Sequence, residues 1–386
     1  MRIASLSFTP VSVPYSRREE SVKVDRDGVT DVVVKITTDD GMVGWGESCS
    51  GPNVESIIEA LNSFKPFLLG ADPWNRDALW YDCYVRGIWL LREPTFNFAW
   101  AGIDMALWDI CGKTAGQPLY RLLGGLRRKT VNYFYYLPTR DLMLIEDECR
   151  KGVREGYSVF YIKTGQDLVG EESAIELIRR IIGPDRKIRI DCNEAWTVSE
   201  AIRNLELLDR WHLDFAEQPV PAEPIENMLE LKRRTRVPLS ANESANGRAN
   251  AWKVIKKRAC DVLCFSEYFV GTIGEFHRLG HAAAAEGLSV CLGIHGELGI
   301  AAAAHQHVLL NLPRVVEGNQ KVANLLVDDI VTHQIPIATQ PSWGVIEGAG
   351  LGIEVDQEQL EKYHQHYLRH GQYLPYELQK VLASRL

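Results

Sequence analysis

Four polar motifs in the middle of the chain carry the residues best suited to chemistry. They contain Lys163, Asp191, Glu217 and Glu243, and successive members lie 26 to 28 residues apart. Three carboxylates brought together repel one another unless a cation lies among them. Oxygen ligands without cysteine or histidine favour Mg²⁺ over zinc. A lysine beside such an ion would have a lowered pKa and could act as a base.

The segments around these residues predict how they are positioned. Each residue closes a short apolar run typical of a buried strand, and each run is followed by a charged segment with helical periodicity. An interval of 26 to 28 residues accommodates a strand, a turn and a helix. In a barrel of parallel strands the carboxyl ends meet at one mouth, so the four side chains are expected to lie together there. The alternative, that each acid is only a helix cap or a loop charge, does not account for three acids at matching positions.

The same pattern of strand and helix extends on both sides of these motifs. It begins with a strand at residues 131–137 and ends with a strand near residue 317, which predicts eight strands with helices between them. We therefore assign residues 126–325 to a barrel domain. A glycine-rich stretch at 344–352 does not follow a strand and open a helix, so it is not a dinucleotide-binding motif.

The ends of the chain predict a second domain. Residues 1–125 contain alternating strands with a hairpin turn at 39–41, followed by helices, which is typical of an α+β domain. Residues 326–386 are predicted to return to this domain, which would cover the barrel mouth. Residues 16–29 are expected to form a mobile loop whose basic side chains either meet an anionic substrate or remain solvated. These side chains are Arg17, Arg18, Lys23 and Arg26.

Composition excludes several classes of function. The net charge of −8 argues against nucleic acid or an anionic membrane as a partner. No apolar run approaches the 18 or more residues of a membrane-spanning helix, and the beginning of the chain lacks the pattern of a signal peptide. The eight scattered cysteines form no CxxC pair, which indicates reduced thiols and a cytoplasmic protein.

Several further motifs give a family resemblance over nearly the whole chain. They are DDGMVGWGE at 39–47, AGIDMALWDI at 101–110, LLGG at 122–125, LLVDDI at 325–330 and GAGLGIE at 348–354, in addition to those above. In this order and spacing the sequence resembles the enolase superfamily, in its mandelate racemase and muconate-lactonising branch. The resemblance implies a (β/α)7β TIM-like barrel that performs the chemistry, and an α+β N-terminal capping domain, completed by the C-terminal tail, that selects the substrate.

The resemblance also implies a reaction. Members of this superfamily remove the proton α to a carboxylate and hold the resulting enediolate with Mg²⁺. Asp191, Glu217 and Glu243 match the metal ligands, and Lys163 matches the usual base on the second strand. Two more positions match racemase-like members, His295 on the seventh strand and Glu317 on the eighth.

The sequence departs from the family pattern at positions that affect the reaction. Tyr161 replaces the first lysine of the K-x-K motif, and Ser266 stands where other members have lysine or aspartate. Without an aspartate partner, His295 suits a general acid for a leaving hydroxyl better than a symmetric racemase base. Glu297 is a second candidate for the acid. Asn242 precedes Glu243, so either could contact the metal.

The expected function follows from these residues. Asn193 is expected to position the metal site or Lys163. We expect a Mg²⁺-dependent dehydratase of a hydroxy or sugar acid, with a small carboxylic acid as its substrate. The alternatives are a racemase, epimerase or cycloisomerase of a carboxylic acid, and a degenerate barrel that binds metal and ligand without turnover. By family analogy we expect a homo-oligomer.

Overall fold

A computed structural model describes residues 1–51, 53–87, 91–332 and 340–374. The end of the predicted 326–386 segment therefore lies outside the described residues. The chain begins with a three-stranded antiparallel sheet in the order β1-β2-β3. Its strands are β1 (Ile3–Glu20), β2 (Asp25–Thr38) and β3 (Val43–Cys49). The predicted turn at 39–41 lies between β2 and β3, where Gly41 adopts a positive φ of 84°.

The expectation of a mobile loop at residues 16–29 is wrong. Strands β1 and β2 continue through most of this segment, with Glu19 opposite Arg26 and Glu20 opposite Asp25. The Arg26 Nε lies 2.8 Å from Glu19 Oε2, and both side chains are buried. The Glu19–Arg26 ion pair joins the two strands, and only residues 21–24 form the turn of the hairpin. We call residues 21–24 the hairpin tip.

Four helices complete the N-terminal part. They are α1 (Val54–Leu68), α2 (Arg76–Tyr81), α3 (Thr95–Ala115) and α4 (Leu119–Leu122), with a π-helical turn at Asp82–Gly87 after α2. Strand β3 lies directly on α3 because Gly46 and Gly102 face each other. A Cβ atom on either glycine would overlap the backbone of the other element. This close approach brings the residue after Gly46, Glu47, up to the barrel.

Seven parallel strands form one curled sheet in sequence order. They are β5 (Tyr135–Tyr136), β6 (Val159–Lys163), β7 (Lys187–Asp191), β8 (Leu213–Glu217), β9 (Leu239–Ala241), β10 (Val262–Phe265) and β11 (Ser289–Leu292). Just before them lies β4 (Val131–Asn132). The eighth strand is reduced to two bridges, Val315 with Val290 and Asn319 with Tyr133, which join the last strand to the first. The predicted TIM-like barrel is confirmed.

Helices follow the strands around the barrel. They are α5 (Leu142–Arg154), α6 (Leu168–Ile182), α7 (Val198–Leu208), α8 (Glu226–Arg234), α9 (Arg248–Lys257), α10 (Glu267–Val270), α11 (Ile273–Ala285) and α12 (Gly299–Asn311). Short 3₁₀ turns at Asp209–Trp211 and Glu243–Ala245 accompany them. All eight cysteines are buried and free of disulfides. No helix in the described ranges is long and apolar enough to cross a membrane.

The end of the chain contacts both parts of the molecule. Strand β12 (Ser342–Trp343) pairs antiparallel with β4, next to the barrel. Helix α13 (Gln357–His370) packs on β1, where the His364 Nδ1 lies 2.8 Å from the Pro10 carbonyl oxygen.

Two buried acids of the N-terminal part bind the starts of barrel helices. Glu47 accepts hydrogen bonds from the Leu298 and Ala301 amides at the start of α12, at 2.7 and 3.1 Å. Asp104 accepts one from the Ile273 amide at the start of α11, at 2.7 Å. Carboxylates are favourable at helix N-termini because the unpaired amides and the helix dipole attract negative charge. Burial nevertheless raises the pKa of Asp104 to about 7.

Asp104→Asn tests the cost of this buried charge. Because the folded pKa is raised, the stability that Asp104 contributes is complete below its unfolded pKa of about 3.9 and is lost as pH rises through about 7. The asparagine oxygen can still accept from Ile273. Thermal unfolding should therefore show a smaller loss of stability between about pH 5 and pH 8 than in the wild type. The matched control is Glu176→Gln, at an exposed position on α6; equal pH dependence in all three proteins would contradict the prediction.

Candidate functional site

A cavity of about 210 Å³ lies at the carboxyl ends of the barrel strands, beneath the β1–β2 hairpin. The three predicted carboxylates, the predicted lysine and the predicted histidine all line it. Lys163, Asp191 and Glu217 are the last residues of β6, β7 and β8, and they lie side by side in the strand register. Glu243 follows β9 after one residue. The regular spacing in the sequence thus corresponds to consecutive strands of one barrel.

Asp191 is the most highly bonded of the three acids. Its Oδ2 accepts hydrogen bonds from Lys163 Nζ and the Tyr161 hydroxyl, both at 2.5 Å, and its Oδ1 accepts one from the Asn193 amide at 2.9 Å. Burial lowers the pKa of Lys163, but the Asp191 carboxylate outweighs burial and leaves that pKa raised. Lys163 is therefore an ammonium ion while it contacts Asp191.

Asn193 joins the lysine to the fifth-strand acid. Its Oδ1 accepts from Lys163 Nζ at 3.1 Å, and its Nδ2 donates to Glu243 Oε1 at 3.1 Å. The residue has a positive φ of 43°, a conformation that asparagine tolerates better than most residues. The Asn193 side chain thus contacts both Lys163 and Glu243, and its role in positioning them stays a prediction.

Glu217 is held by a residue that the sequence analysis missed. Gln320 Nε2 lies 2.7 and 2.9 Å from the two carboxylate oxygens of Glu217, and its Oε1 accepts from the Ile294 amide at 3.1 Å. Burial, followed by the charge of Asp191, raises the pKa of Glu217 well above its usual range. Gln320 is three residues beyond Glu317, and only the register of the eighth strand reveals which of them reaches the mouth.

The structure distinguishes Asn242 from Glu243. The Asn242 side chain lines the cavity but donates to the Cys264 carbonyl at 3.0 Å. Glu243 Oε2 is buried and has no hydrogen-bond partner in the described part of the chain. Burial and then the Asp191 charge raise the pKa of Glu243 to about 7. An unpartnered buried carboxylate oxygen facing other carboxylates is what a cation would satisfy.

The donor set fits a hard divalent cation. Asp191, Glu217 and Glu243 supply carboxylate oxygens to one cavity, and burial, followed by the charge of Asp191, raises the pKa values of Glu217 and Glu243. Among the described residues, no three acidic, histidine or cysteine side chains are already gathered as a ligand group. Each carboxylate is instead engaged by a donor of the protein: Asp191 by Lys163, Glu217 by Gln320, and Glu243 by Asn193.

His295 reaches the cavity through a different set of contacts. Its ring stacks on Phe269 with centroids 4.8 Å apart and contacts Phe98 edge-on at 4.7 Å. Its carbonyl accepts from Arg26 at 2.9 Å, and its Nε2 is buried without a partner among the described residues. Burial, and then the charges of Arg26 and Lys163, lower the pKa of His295 to about 4. The imidazole is therefore neutral at pH 7.

Two predicted residues near His295 lie outside the cavity. The Glu297 carboxylate lies 2.5 Å from His305 Nδ1, and His305 Nε2 lies 2.7 Å from Glu267. Both acids raise the pKa of His305 to about 10 despite its burial, so the group is an imidazolium between two carboxylates. Strand β11 ends before Glu297, so side chains beyond it no longer alternate between the two faces of the strand. The Glu297 side chain therefore lies outside the cavity, in contact with His305. Ser266 is buried at the start of α10 and does not line the cavity either.

The structure places Glu317 at the opposite end of the barrel from the site. Its carboxylate accepts from the Ser158 hydroxyl at 2.5 Å and lies 3.5 Å from Lys187 Nζ. Ser158 precedes β6 and Lys187 begins β7, so these contacts lie at the amino ends of the strands. The expectation that Glu317 belongs to the site is corrected, because the eighth strand reaches the mouth three residues later.

Comparison with known proteins identifies the family. Residues 20–124 match the model of the mandelate racemase / muconate lactonizing enzyme N-terminal domain, and residues 144–359 match the enolase C-terminal domain-like model. The chain is 31% identical over 350 residues to an arabinonate dehydratase of Saccharolobus solfataricus. The match covers 86% of this chain and 90% of that protein. The chain belongs to the mandelate racemase and muconate-lactonising branch of the enolase superfamily.

Other members of the family differ in their reactions. An N-succinyl-L-Arg/Lys racemase of Bacillus cereus is 28% identical over 340 residues, covering 86% of this chain and 89% of that protein. Its crystal structure has a TM-score of 0.87 and 26% identity, with 94% of this chain and 98% of that chain covered. The fold is also shared with a dipeptide epimerase of Enterococcus faecalis, solved with Mg and L-Leu-L-Tyr (TM-score 0.85, 23% identity, 92% of this chain and 100% of that chain). Family membership thus establishes an enzyme, and leaves its particular reaction to be determined.

Lys163→Met tests the contact between Lys163 and Asp191 in the metal-free protein. The variant leaves Asp191 buried without its cationic partner, and removing one member of a buried ion pair costs about 3–5 kcal/mol. Urea denaturation in EDTA should show a loss of that order, and the double variant Lys163→Met/Asp191→Asn should recover much of it. Lys253→Met, at an exposed position, is the control. Wild-type stability of Lys163→Met would show that Asp191 does not depend on the ammonium.

Proposed function

We propose that the protein is a Mg²⁺-dependent dehydratase of a small hydroxy or sugar acid, which removes the proton α to the carboxylate. The observation that carries the proposal is that Lys163 and the uncharged His295 line one cavity with three carboxylates. The arabinonate dehydratase relative supports the choice of reaction. Bound to Asp191, Glu217 and Glu243, Mg²⁺ would stabilise the second negative charge that forms on the substrate carboxylate.

Lys163 is the base in this proposal. It is cationic while it pairs with Asp191, so it can take a proton only when Asp191 is drawn to another partner. Tyr161 occupies the position of the first family lysine and donates to the same Asp191 oxygen. A hydroxyl there holds Asp191 without adding a second positive charge.

His295 is the acid in this proposal. No carboxylate contacts its ring in the described residues, and the two neighbouring glutamates, Glu267 and Glu297, bind His305 instead. A ring without an anionic partner is a weak base, which disfavours the symmetric proton exchange of a racemase. Negative charge on the bound substrate should raise the pKa of His295, so that the ring takes up a proton from solvent. The imidazolium then gives this proton to the departing β-hydroxyl, which leaves as water, and the ring returns to its neutral form.

The cavity favours a small substrate. A water molecule occupies about 30 Å³ of liquid, so 210 Å³ has room for about seven waters. A short hydroxy acid fits within this volume. The second candidate is a racemase, epimerase or cycloisomerase of an equally small acid, which is favoured by the reactions of other relatives.

The experiment is a screen of hydroxy and sugar acids with Mg²⁺ in D₂O. A dehydratase forms an enol that becomes the 2-keto acid, and the product is detected by semicarbazide and by mass. Deuterium in recovered substrate or in an isomer, without loss of water, would indicate the second candidate instead. No exchange and no elimination with any acid, despite metal binding, would indicate a degenerate barrel.

The two proposed catalytic residues have separable variants. Lys163→Met should lose both deuterium exchange and elimination, with kcat lowered by about 10³-fold or more because general-base catalysis contributes about 10²–10⁴-fold. His295→Asn should retain exchange at the α-carbon and lose elimination. NMR of the recovered acid measures exchange, and 2-keto acid formation measures elimination. Loss of exchange in His295→Asn would contradict the assignment of roles.

A further inference from the structure

The hairpin tip carries a lysine to the candidate metal site. Within the tip, the Ser21 amide donates to the Val24 carbonyl at 2.7 Å, and the Ser21 hydroxyl accepts from the Lys23 and Val24 amides at 3.1 and 2.8 Å. Gln166 Nε2, on the loop after β6, donates to the Ser21 carbonyl at 2.6 Å. The tip is thus a compact turn docked on the barrel, and it presents Lys23 at the ends of the barrel strands.

Lys23 lies between two glutamates of the barrel. Its ammonium forms an ion pair with Glu194 Oε2 and lies 3.7 Å from Glu243 Oε1. Glu194 is itself held, because its Oε1 accepts from the Ala222 amide at 2.5 Å. Lys23 is 44% exposed, whereas Glu194 and Glu243 are 20% and 21% exposed. The anions are therefore more fixed by the protein than the lysine is.

The position of Lys23 matters for charge balance. Three carboxylates line the cavity, and Lys163 contacts the Asp191 end of this group. Lys23 supplies positive charge at the opposite end, beside Glu243. A divalent cation held by the three carboxylates would repel Lys23 and would take over the charge that Lys23 now balances.

Lys23 also lies between the site cavity and an outer groove. Lys23 and Glu243 line both the site cavity and a larger outer groove of about 1160 Å³. Glu194 lines the groove as well. A displacement of the Lys23 side chain from Glu243 would widen the connection between groove and cavity.

We propose that Lys23 is an internal competitor for the divalent cation: in the metal-free protein its ammonium is shared between Glu194 and Glu243, and when the cation binds Glu243 it stays with Glu194 alone. Lys23 thereby couples loading of the site to the opening between cavity and groove. The inference rests on the proposed function, because it takes Glu243 as a metal ligand.

The test measures Mn²⁺ affinity of the full-length protein by calorimetry and by electron paramagnetic resonance, without substrate. Lys23→Met removes the competitor, so affinity should rise by about three- to tenfold, a factor of the size expected for a partly exposed charge pair. Glu194→Gln removes the carboxylate that competes with Glu243 for Lys23. Lys23 should then pair more strongly with Glu243, so the affinity for Mn²⁺ should fall. The double variant should bind Mn²⁺ as tightly as Lys23→Met alone, because Glu194 affects the metal site only through its ion pair with Lys23.

Two controls separate this role from a general change in charge. Lys253→Met removes a lysine that lines the same groove but not the site cavity, and it should change affinity less than Lys23→Met. Lys23→Arg keeps the charge and should bind Mn²⁺ like the wild type. The gain in Lys23→Met should shrink in high salt, because mobile ions screen a partly exposed charge.

The outcomes distinguish this inference from the proposed function. Unchanged or lower Mn²⁺ affinity in Lys23→Met, with binding intact in the wild type, would overturn the role of Lys23 alone. Independent effects of Lys23→Met and Glu194→Gln that simply add would overturn it too. Failure of the wild type to bind Mn²⁺ would overturn both the inference and the proposed metal dependence.

Discussion

Negative charge held at the mouth of the barrel is the constraint on which the site depends. Asp191 and Glu217 are almost completely buried, and Glu243 lies beside them, so their charges cannot be compensated by water. The protein compensates them with specific donors: an ammonium and a phenol on Asp191, an amide on Glu217, and an amide and a distant ammonium on Glu243. These donors lie on or directly after three different barrel strands and on the N-terminal hairpin.

The register of the barrel strands explains how residues far apart in the sequence meet at the site. Parallel strands in register end at the same level of the barrel. Residues separated in the sequence by one strand and one helix therefore lie on neighbouring strands in the structure. The N-terminal part is held to the barrel by Glu47 of strand β3, which binds the start of α12, and by Asp104 of α3, which binds the start of α11. Hydrogen bonds from Arg26 to the His295 carbonyl and from Gln166 to the Ser21 carbonyl hold the hairpin over the cavity.

The sequence was sufficient for the main features of the site. Lys163, Asp191, Glu217 and Glu243 could be predicted to meet, because their positions follow from strand periodicity alone. His295 could be placed only through the family resemblance. The barrel and the family could be predicted because strand and helix periodicity and short motifs are visible directly in a sequence.

Features that depend on irregular geometry could not be predicted. Glu317 was assigned to the mouth through the family resemblance, and the register of an eighth strand formed by two bridges is not visible in a hydrophobic pattern that could have corrected it. Gln320 was missed for the same reason. Residues 16–29 looked like a charged loop because their ion pairs join residues on facing strands, which a linear sequence does not display. Glu297 is two residues from His295, yet the loop turns the two side chains to different neighbours.

The packing of α13 on β1 links the two ends of the polypeptide in one structural unit. Strand β12 joins the segment before that helix to the barrel through β4. An exchange of the covering sheet alone would therefore separate β1 from the helix that packs on it, unless residues 357–370 were transferred as well. A single crossover point within the chain cannot transfer β1 and α13 together without the barrel that lies between them in the sequence.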